Sequence, residues 1–279
     1  MAIHQNRVIG YTFCVYEDTK AVIGDIFCLS EAPHGEPIPP APIVEQILLR
    51  HLTELLLHSP GVDRIESQLL LHASGFHGEF LRDLGFTLFP RHFMVQSLEG
   101  RWSEPRFELP AELELRSWRD EDMPSAARLI CDCYDKHPDS LINDQYRSVH
   151  GAMRFLNNIV RYSGCGVFSP QASQVVYDRR SETLIALLLG SRVSALSGHI
   201  TQLCVSSAWR QRGLARILLS VAAYKFLRLG AGEISLTVTQ ANQPAIDLYQ
   251  SEGYRCAHAF DANVWQRRGV ISFLQNLRA

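Results

Sequence analysis

Apolar residues recur at Leu214, Ile217, Leu218, Val221, Ala222, Phe226 and Leu229, the three-and-four spacing of a helix with one buried face. Gly230 and Gly232 stop it. Before this helix the pattern predicts a strand at Leu113–Trp118, a helix capped by Asp120 and running to Tyr134, a polar loop over His137–Tyr146 and a second helix to Tyr162. Strand-like runs follow at Ser173–Tyr177, Thr183–Ser191 and His199–Val205. After it come a strand at Glu233–Val238, a helix from Pro244 to Glu252 closed by Gly253, and a strand pair at Arg255–Phe260 and Val264–Arg267. Upstream, strands Val8–Tyr16 and Ala21–Leu29 flank the turn Glu17-Asp18-Thr19-Lys20. A helix Ile43–Leu57, a strand Arg64–Leu71, a short helix Glu79–Leu84 and a strand Phe86–Leu98 complete the order, which is that of a mixed α/β (α+β) chain.

The two ends of this list echo each other. Phe80-Leu81-Arg82-Asp83-Leu84-Gly85-Phe86 and Leu248-Tyr249-Gln250-Ser251-Glu252-Gly253-Tyr254 each finish an amphipathic helix on a glycine stop and lead an aromatic into the next strand. With the element order also matching, an internal duplication is expected. The first copy is partial, because nothing before Val8 corresponds to the opening strand-helix-helix unit. Residues 99–111 are polar, carry Pro105 and Pro110 and lack either periodicity, so they read as a linker. The expected limits are a partial domain over 1–98, the linker, and a complete domain over 112–279.

Composition narrows the classes. Apolar residues make up 46% and charged residues 20%, ample for a buried core, and the net charge is −2. A broad basic face for nucleic acid is therefore not expected. No apolar run approaches the ~20 residues of a membrane span, and the first residues lack a signal-peptide pattern, so a cytoplasmic protein is expected. The seven cysteines form no C-x-x-C pair, and Cys131 and Cys133 point to different faces of a helix, a poor metal clamp. No metal is expected. His51, His58, His72 and His77 show no ligand spacing and read as structural or surface residues. Asp132, Asp135, Asp139 and Asp144 surround the 137–146 loop, either as a solvated face or as a lure for a cationic amine.

The segment Leu203-Cys204-Val205-Ser206-Ser207-Ala208-Trp209-Arg210-Gln211-Arg212-Gly213-Leu214-Ala215-Arg216 runs a strand through a short loop straight into a helix. Gly213 and Ala215 remove bulk where the chain turns, and the first N–H groups of a helix have no internal partner. With Arg210, Arg212 and Arg216 close by, a phosphate or pyrophosphate is the ligand this arrangement suits. The spacing is not that of a Walker loop, and Gly230-x-Gly232 precedes a strand rather than a helix.

Arg210-Gln211-Arg212-Gly213-Leu214-Ala215, taken with Asn242-Gln243-Pro244-Ala245-Ile246-Asp247-Leu248-Tyr249 and the following Gly253-Tyr254, resembles the two motifs of the GNAT acyl-CoA N-acyltransferase superfamily. The resemblance spans Leu113 to about Arg267, with Val8–Leu98 as a degraded half-copy, similar to tandem GNAT proteins. It implies a central mixed, mostly antiparallel sheet flanked by helices, with acetyl-CoA as cosubstrate. The strand before the loop would splay from its neighbour, so that Leu203, Cys204 and Val205 pair with the pantetheine arm. The amides of Gln211, Arg212, Gly213, Leu214, Ala215 and Arg216, beside Arg210, would hold the pyrophosphate. Asn242 would touch the pantetheine or its phosphate, and Tyr249 would protonate the departing thiolate.

Where many family members carry a carboxylate, this chain has Gln202, which takes no proton at neutral pH. His199 is the titratable group on that strand, and an ordinary pKa near ~6.5 suits a base. A water-relayed proton or an amine arriving neutral would need no such side chain. In the half-copy, the phosphate loop is replaced by Gly35-Glu36-Pro37-Ile38-Pro39-Pro40-Ala41-Pro42. Its four prolines donate no N–H, Leu81 stands for Tyr249 and Ser74 for Asn242. That copy is expected to bind no CoA and to act as a packing partner or a wall of the acceptor site. The expected function is N-acetylation of a primary amine, small molecule or peptide, without nucleic-acid or membrane partners; a homodimer is compatible with it. The alternative is a non-catalytic acyl-CoA-binding module. A transferase using aminoacyl-tRNA fits less well with the acidic charge and the intact loop.

Overall fold

The structure, a computed structural model, describes residues 1–31, 37–100, 103–162 and 165–267. In chain order its first elements are β1 (Ala2–His4), β2 (Arg7–Tyr11), β3 (Cys14–Glu17), β4 (Lys20–Ile23), β5 (Phe27–Cys28), α1 (Ala41–His58), β6 (Arg64–Gln68), α2 (Gly78–Asp83) and β7 (Thr87–Ser97). Then follow β8 (Leu113–Ser117), α3 (Met123–Tyr134), α4 (Asp139–Ile142), α5 (Val149–Arg161), β9 (Val167–Phe168), β10 (Gln174–Asp178), β11 (Thr183–Arg192) and β12 (Ser197–Val205). The last are α6 (Leu214–Arg228), β13 (Glu233–Thr239), α7 (Gln243–Ser251) and β14 (Arg255–Gln266). Two compact units result. One is Met1–Arg91 with the chain from Ala259 onward; the other is His92–His258. These units divide within β7 and β14, and residues 103–111 belong to the second.

In the first unit β1, β2 and β5 form a small sheet, and β3, β4, β6 and the later residues of β14 form another. The run Val8–Tyr16 is not one strand. Gly24 N–H donates to the Phe13 carbonyl at 2.8 Å, and a side chain on Gly24 would stand 2.4 Å from the Phe13 ring. The chain therefore turns at Thr12–Phe13 and delivers β2 and β3 to separate sheets. α1 buries Val44, Leu48, Leu49 and Leu56, which with Ala21, Ile23, Ile65 and Leu81 make this unit's core.

The strand pair expected after Gly253 is a single strand, β14. Its apparent turn, Asp261-Ala262-Asn263, is buried instead: the Asp261 carboxylate accepts from the Ser74 hydroxyl and the Gly75 N–H, both at 2.7 Å. Asn263 donates to Ser67 Oγ at 3.0 Å. β14 pairs antiparallel with β6 from Ala262↔Gln68 to Gln266↔Arg64.

The second unit has the strand order β7-β13-β12-β11-β10-β8, with β9 on β11. β8, β10, β11 and β12 pair antiparallel, and β12 pairs parallel with β13, the mixed and mostly antiparallel sheet that was expected. α6 and α7 bury Leu214, Leu218, Phe226, Ile246 and Tyr249 with Ile234, Leu236 and Val238 of β13. A separate cluster joins Ala126, Ala127 and Ile130 of α3 and Leu156 of α5 to Leu187, Leu189 and Cys204. Gly198 and Gly190 lie under Phe226, whose ring leaves 2.6 and 2.8 Å for any added side chain.

Other differences are local. Asp120 does not cap α3 directly; Asp120–Asp122 form a 3-10 turn, and it is Asp122 whose carboxylate accepts the Arg119 N–H at 2.8 Å. The 137–146 loop contains α4 and begins a second 3-10 turn, Asp144–Arg147. Among the described residues no helix is long and apolar enough to cross a membrane.

Candidate functional site

Parallel pairing of β12 with β13 runs from Ser197↔Glu233 to Ile200↔Leu236 and then stops. β12 continues to Val205, paired on its other side with β11 as far as Val205↔Ala186. The register there skips Thr201, because Gly190 faces Ile200 and Leu189 faces Gln202. This bulge re-aims the strand: Ile200, Leu203 and Val205 pack towards α6, and Cys204 towards α3. The result is a splay whose β12 edge is Leu203, Cys204 and Val205.

From this edge the chain enters α6 through a left-handed residue at Gln211 (φ 60°) and another at Gly213 (φ 81°). Alternation of this kind turns successive N–H groups towards one concave side. Gly213 is the N-cap and supplies no side chain. Among the described residues, the N–H groups of Gln211–Arg216 donate to no protein acceptor, and the first bond of the helix is Ile217 N–H to the Gly213 carbonyl at 3.0 Å. The space where a Gly213 Cβ would stand is open. An anion fits this cradle, with the helix dipole adding positive potential.

The three arginines divide their work. Arg210 donates from Nε to the Val205 carbonyl at 3.1 Å, and Arg212 lies 4.7 Å over the Trp209 ring. Arg216 turns away to Glu252, Nε to Oε1 at 2.6 Å, and to Ser251 Oγ at 3.0 Å. Its side chain is thus not part of the cradle, although its N–H is. Leu214 likewise contributes only its N–H, since its side chain is buried in the core.

Tyr249 sits on α7, buried, its ring 5.8 Å from that of Tyr254. Asn242 is the N-cap of α7: its Oδ1 accepts from the Ala245 N–H at 3.3 Å, and its Nδ2 faces His137 Nε2 at 3.4 Å. The cap explains an asparagine there without any ligand, and leaves the amide Nδ2 on the side of the 137–146 loop. Asp139, in that loop, accepts from the Thr239 hydroxyl at 2.6 Å. Asp132 and Asp135 are exposed.

The sequence reading did not anticipate Tyr134. Its hydroxyl donates to Gln202 Oε1 at 3.3 Å and its ring stacks on Tyr146 at 4.3 Å. Burial, reinforced by Cys204, Tyr146, Asp139 and Tyr249, pushes its pKa well above the usual phenol range, so it stays protonated. The buried Gln202 Nε2 has no partner among the described residues. A tyrosine ending a helix just before a polar loop was the available signal. Cys133 adds a contact from Sγ to the Val205 carbonyl at 3.4 Å. Cys204 and then Arg210 hold the Cys133 thiol below its usual range, whereas burial pushes Cys204 well up.

His199 lies in the paired part of β12, before the splay, opposite Ser235. Ser235 Oγ donates to the Gly198 carbonyl at 3.2 Å and lies 2.9 Å from His199 Nδ1. The Phe93 ring runs nearly parallel to the imidazole at 6.2 Å and stacks on His258 at 5.1 Å.

The first unit offers the contrasting case. There β4 and β6 also pair in parallel over four residues, Lys20↔Arg64 to Ile23↔Ser67, but β4 ends at Ile23. Beyond it Asp25 closes the gap, accepting from the Leu71 N–H and from His72 Nδ1, both at 3.0 Å. No free edge corresponding to Leu203–Val205 is found among the described residues of this unit; Gly35 and Glu36 lie outside them. Among the described residues there is also no group of three His, Cys, Asp or Glu side chains arranged to hold a metal.

Comparison with known proteins bears on the family and the fold. The Acetyltransferase (GNAT) family matches residues 114–254. A GCN5-related N-acetyltransferase from Sphaerobacter thermophilus is similar in structure with a TM-score of 0.62 at 14% identity, covering 92% of this chain and 76% of that one. A tandem GNAT protein from the clavulanic acid biosynthesis pathway gives 0.61 at 12% identity, over 95% of this chain and 81% of its own. A GCN5-related N-acetyltransferase from Kribbella flavida gives 0.53 at 14% identity, over 93% and 90%. Among curated proteins, none matches the chain by sequence. The coverage extends the shared fold into the N-terminal region, which resembles a partial copy of it.

Proposed function

The chain belongs to the acetyltransferase (GNAT) family, and we propose that it transfers the acetyl group of acetyl-CoA to a primary amine by direct attack on the thioester. One observation carries the reading. A cradle of N–H groups at Gln211–Arg216 opens beside a strand edge released from its neighbour, and a phenol stands on the next helix. Acetyl-CoA supplies the activated acyl group. Leu203, Cys204 and Val205 would pair with its pantetheine, the cradle would hold its pyrophosphate, and Asn242 Nδ2 would add a donor. Tyr249 holds the proton for the departing sulfur. His199 takes the proton that the amine must lose. In the first unit the closed β4–β6 gap leaves no place for pantetheine, so one equivalent of acetyl-CoA per chain is the expected stoichiometry.

A second reading, a binding module that does no chemistry, is favoured by Gln202, an amide where many relatives carry a carboxylate. Titration calorimetry with acetyl-CoA, followed by thiol release over a panel of primary amines, separates the two. An enzyme binds one equivalent and releases CoA with some amine, and Tyr249→Phe lowers that release about a hundredfold or more without weakening binding. A module binds and releases nothing. Two equivalents per chain, or full turnover in Tyr249→Phe, overturns the site assignment.

A further inference from the structure

The helix that forms the cradle is tied to the helix that carries the phenol. Arg216, in the first turn of α6, reaches the last turn of α7, where its Nε meets Glu252 Oε1 at 2.6 Å and its Nη2 donates to Ser251 Oγ at 3.0 Å. Ser251 Oγ in turn donates to the Leu248 carbonyl at 2.7 Å. The side chain of Glu252 is only 16% exposed, and the Glu252 carbonyl accepts from Gln96 Nε2 of β7. The Tyr254 N–H closes on the Tyr249 carbonyl at 3.0 Å. The turn just after Tyr249 is thus gripped from α6 and from the sheet.

We propose that Arg216 is a positioning residue that acts through Glu252 to set Tyr249 against the sulfur of acetyl-CoA held by α6. This rests on Tyr249 being the acid, as argued above. The Arg216 guanidinium is already engaged on a carboxylate.

Glu252→Gln separates the two roles, because it frees Arg216 without removing positive charge from the cradle. Arg216→Gln, Glu252→Gln and the double variant are compared with the full chain. Acetyl-CoA affinity is read by calorimetry, kcat and KM with the best amine of the panel, and α7 by amide hydrogen exchange over residues 246–252. Both single variants should lose about ten- to a hundredfold in kcat, the scale of a misplaced reacting group. Glu252→Gln should keep its KM for acetyl-CoA within twofold, the double variant should be no worse than either single one, and exchange over 246–252 should quicken in all three. Wild-type kcat and exchange in Glu252→Gln, with weakened acetyl-CoA binding in Arg216→Gln, would overturn the proposal and return Arg216 to the phosphates. Should the chain turn over no amine, the functional reading fails, while unchanged exchange over 246–252 would still reject the clamp.

Discussion

The Thr239 hydroxyl donates to the Asp139 carboxylate across 2.6 Å, joining the end of β13 to the short helix of the acidic loop. The bond holds one carboxylate beside the end of β13, and the proposed function makes it a candidate partner for a cationic acceptor. Asp139→Asn should raise KM for the amine about tenfold, a change of ~1.4 kcal/mol, and leave acetyl-CoA affinity alone. Steady-state kinetics with both substrates varied provides the check; an unchanged amine KM removes Asp139 from the acceptor path.

Gly213 combines a left-handed φ of 81° with open space above its Cα. Gly213→Ala meets no clash, yet it forces a side chain into a conformation costing roughly 1 kcal/mol, and it puts a methyl where the proposed anion would sit. Gly213→Glu adds a negative charge. Acetyl-CoA affinity should fall about fivefold in the first and beyond measurement in the second, by calorimetry, with the far-ultraviolet circular dichroism unchanged.

A buried ion pair sets the acid stability of the second unit. The Asp122 side chain has no exposure, and Arg116 grips it at 2.6 and 2.8 Å while the Tyr177 hydroxyl donates at 2.9 Å. Burial alone would raise the carboxyl, but Arg116, the Arg119 N–H and Tyr177 together hold it below its usual range. A depressed native pKa adds stability above about pH 4, and this is lost as pH falls through the native value. Asp122→Ala strands Arg116 and should cost about 3 kcal/mol at neutral pH. Urea unfolding followed by tryptophan fluorescence reads it, and the cost should shrink below pH 4.

His72 has the opposite sign. Burial opposes a charged imidazole, but the Asp25 carboxylate at 3.0 Å and Glu45 at 3.7 Å raise it above its ordinary ~6.5. Its stabilisation is therefore complete below about pH 6.5 and is lost as pH rises through the raised value. Wild type should be more stable to urea at pH 6 than at pH 8.5 by an amount that His72→Gln reduces. A pH dependence untouched by that substitution would reject the assignment.

The elements were legible wherever one periodicity ruled, as in the helix beginning at Leu214 or the strand Glu233–Thr239. The turn into α6 was legible too, because Gly213 stands next to the start of the helix in sequence. Features set by distant partners were not. Asp261 and Asn263 look like a turn until Ser74, Gly75 and Ser67 are brought beside them. Arg216 looks like a phosphate ligand until Glu252, thirty-six positions on, claims it. Tyr134 meets Gln202 of β12, a contact that its place at a helix end does not specify. The bulge at Thr201 depends on how β11 and β12 align, which a single strand does not encode.

The pairing of Ala262–Gln266 with Arg64–Gln68 has a consequence for how the polypeptide is made. On the ribosome, the N-terminal lobe emerges some two hundred residues before the strand that completes its sheet. Its β6 edge waits, exposed to foreign strands, until Ala262–Gln266 has been made. Chaperone dependence and aggregation of prematurely truncated chains should concentrate there, and excising the C-terminal part as a contiguous fragment would leave the other lobe missing a strand.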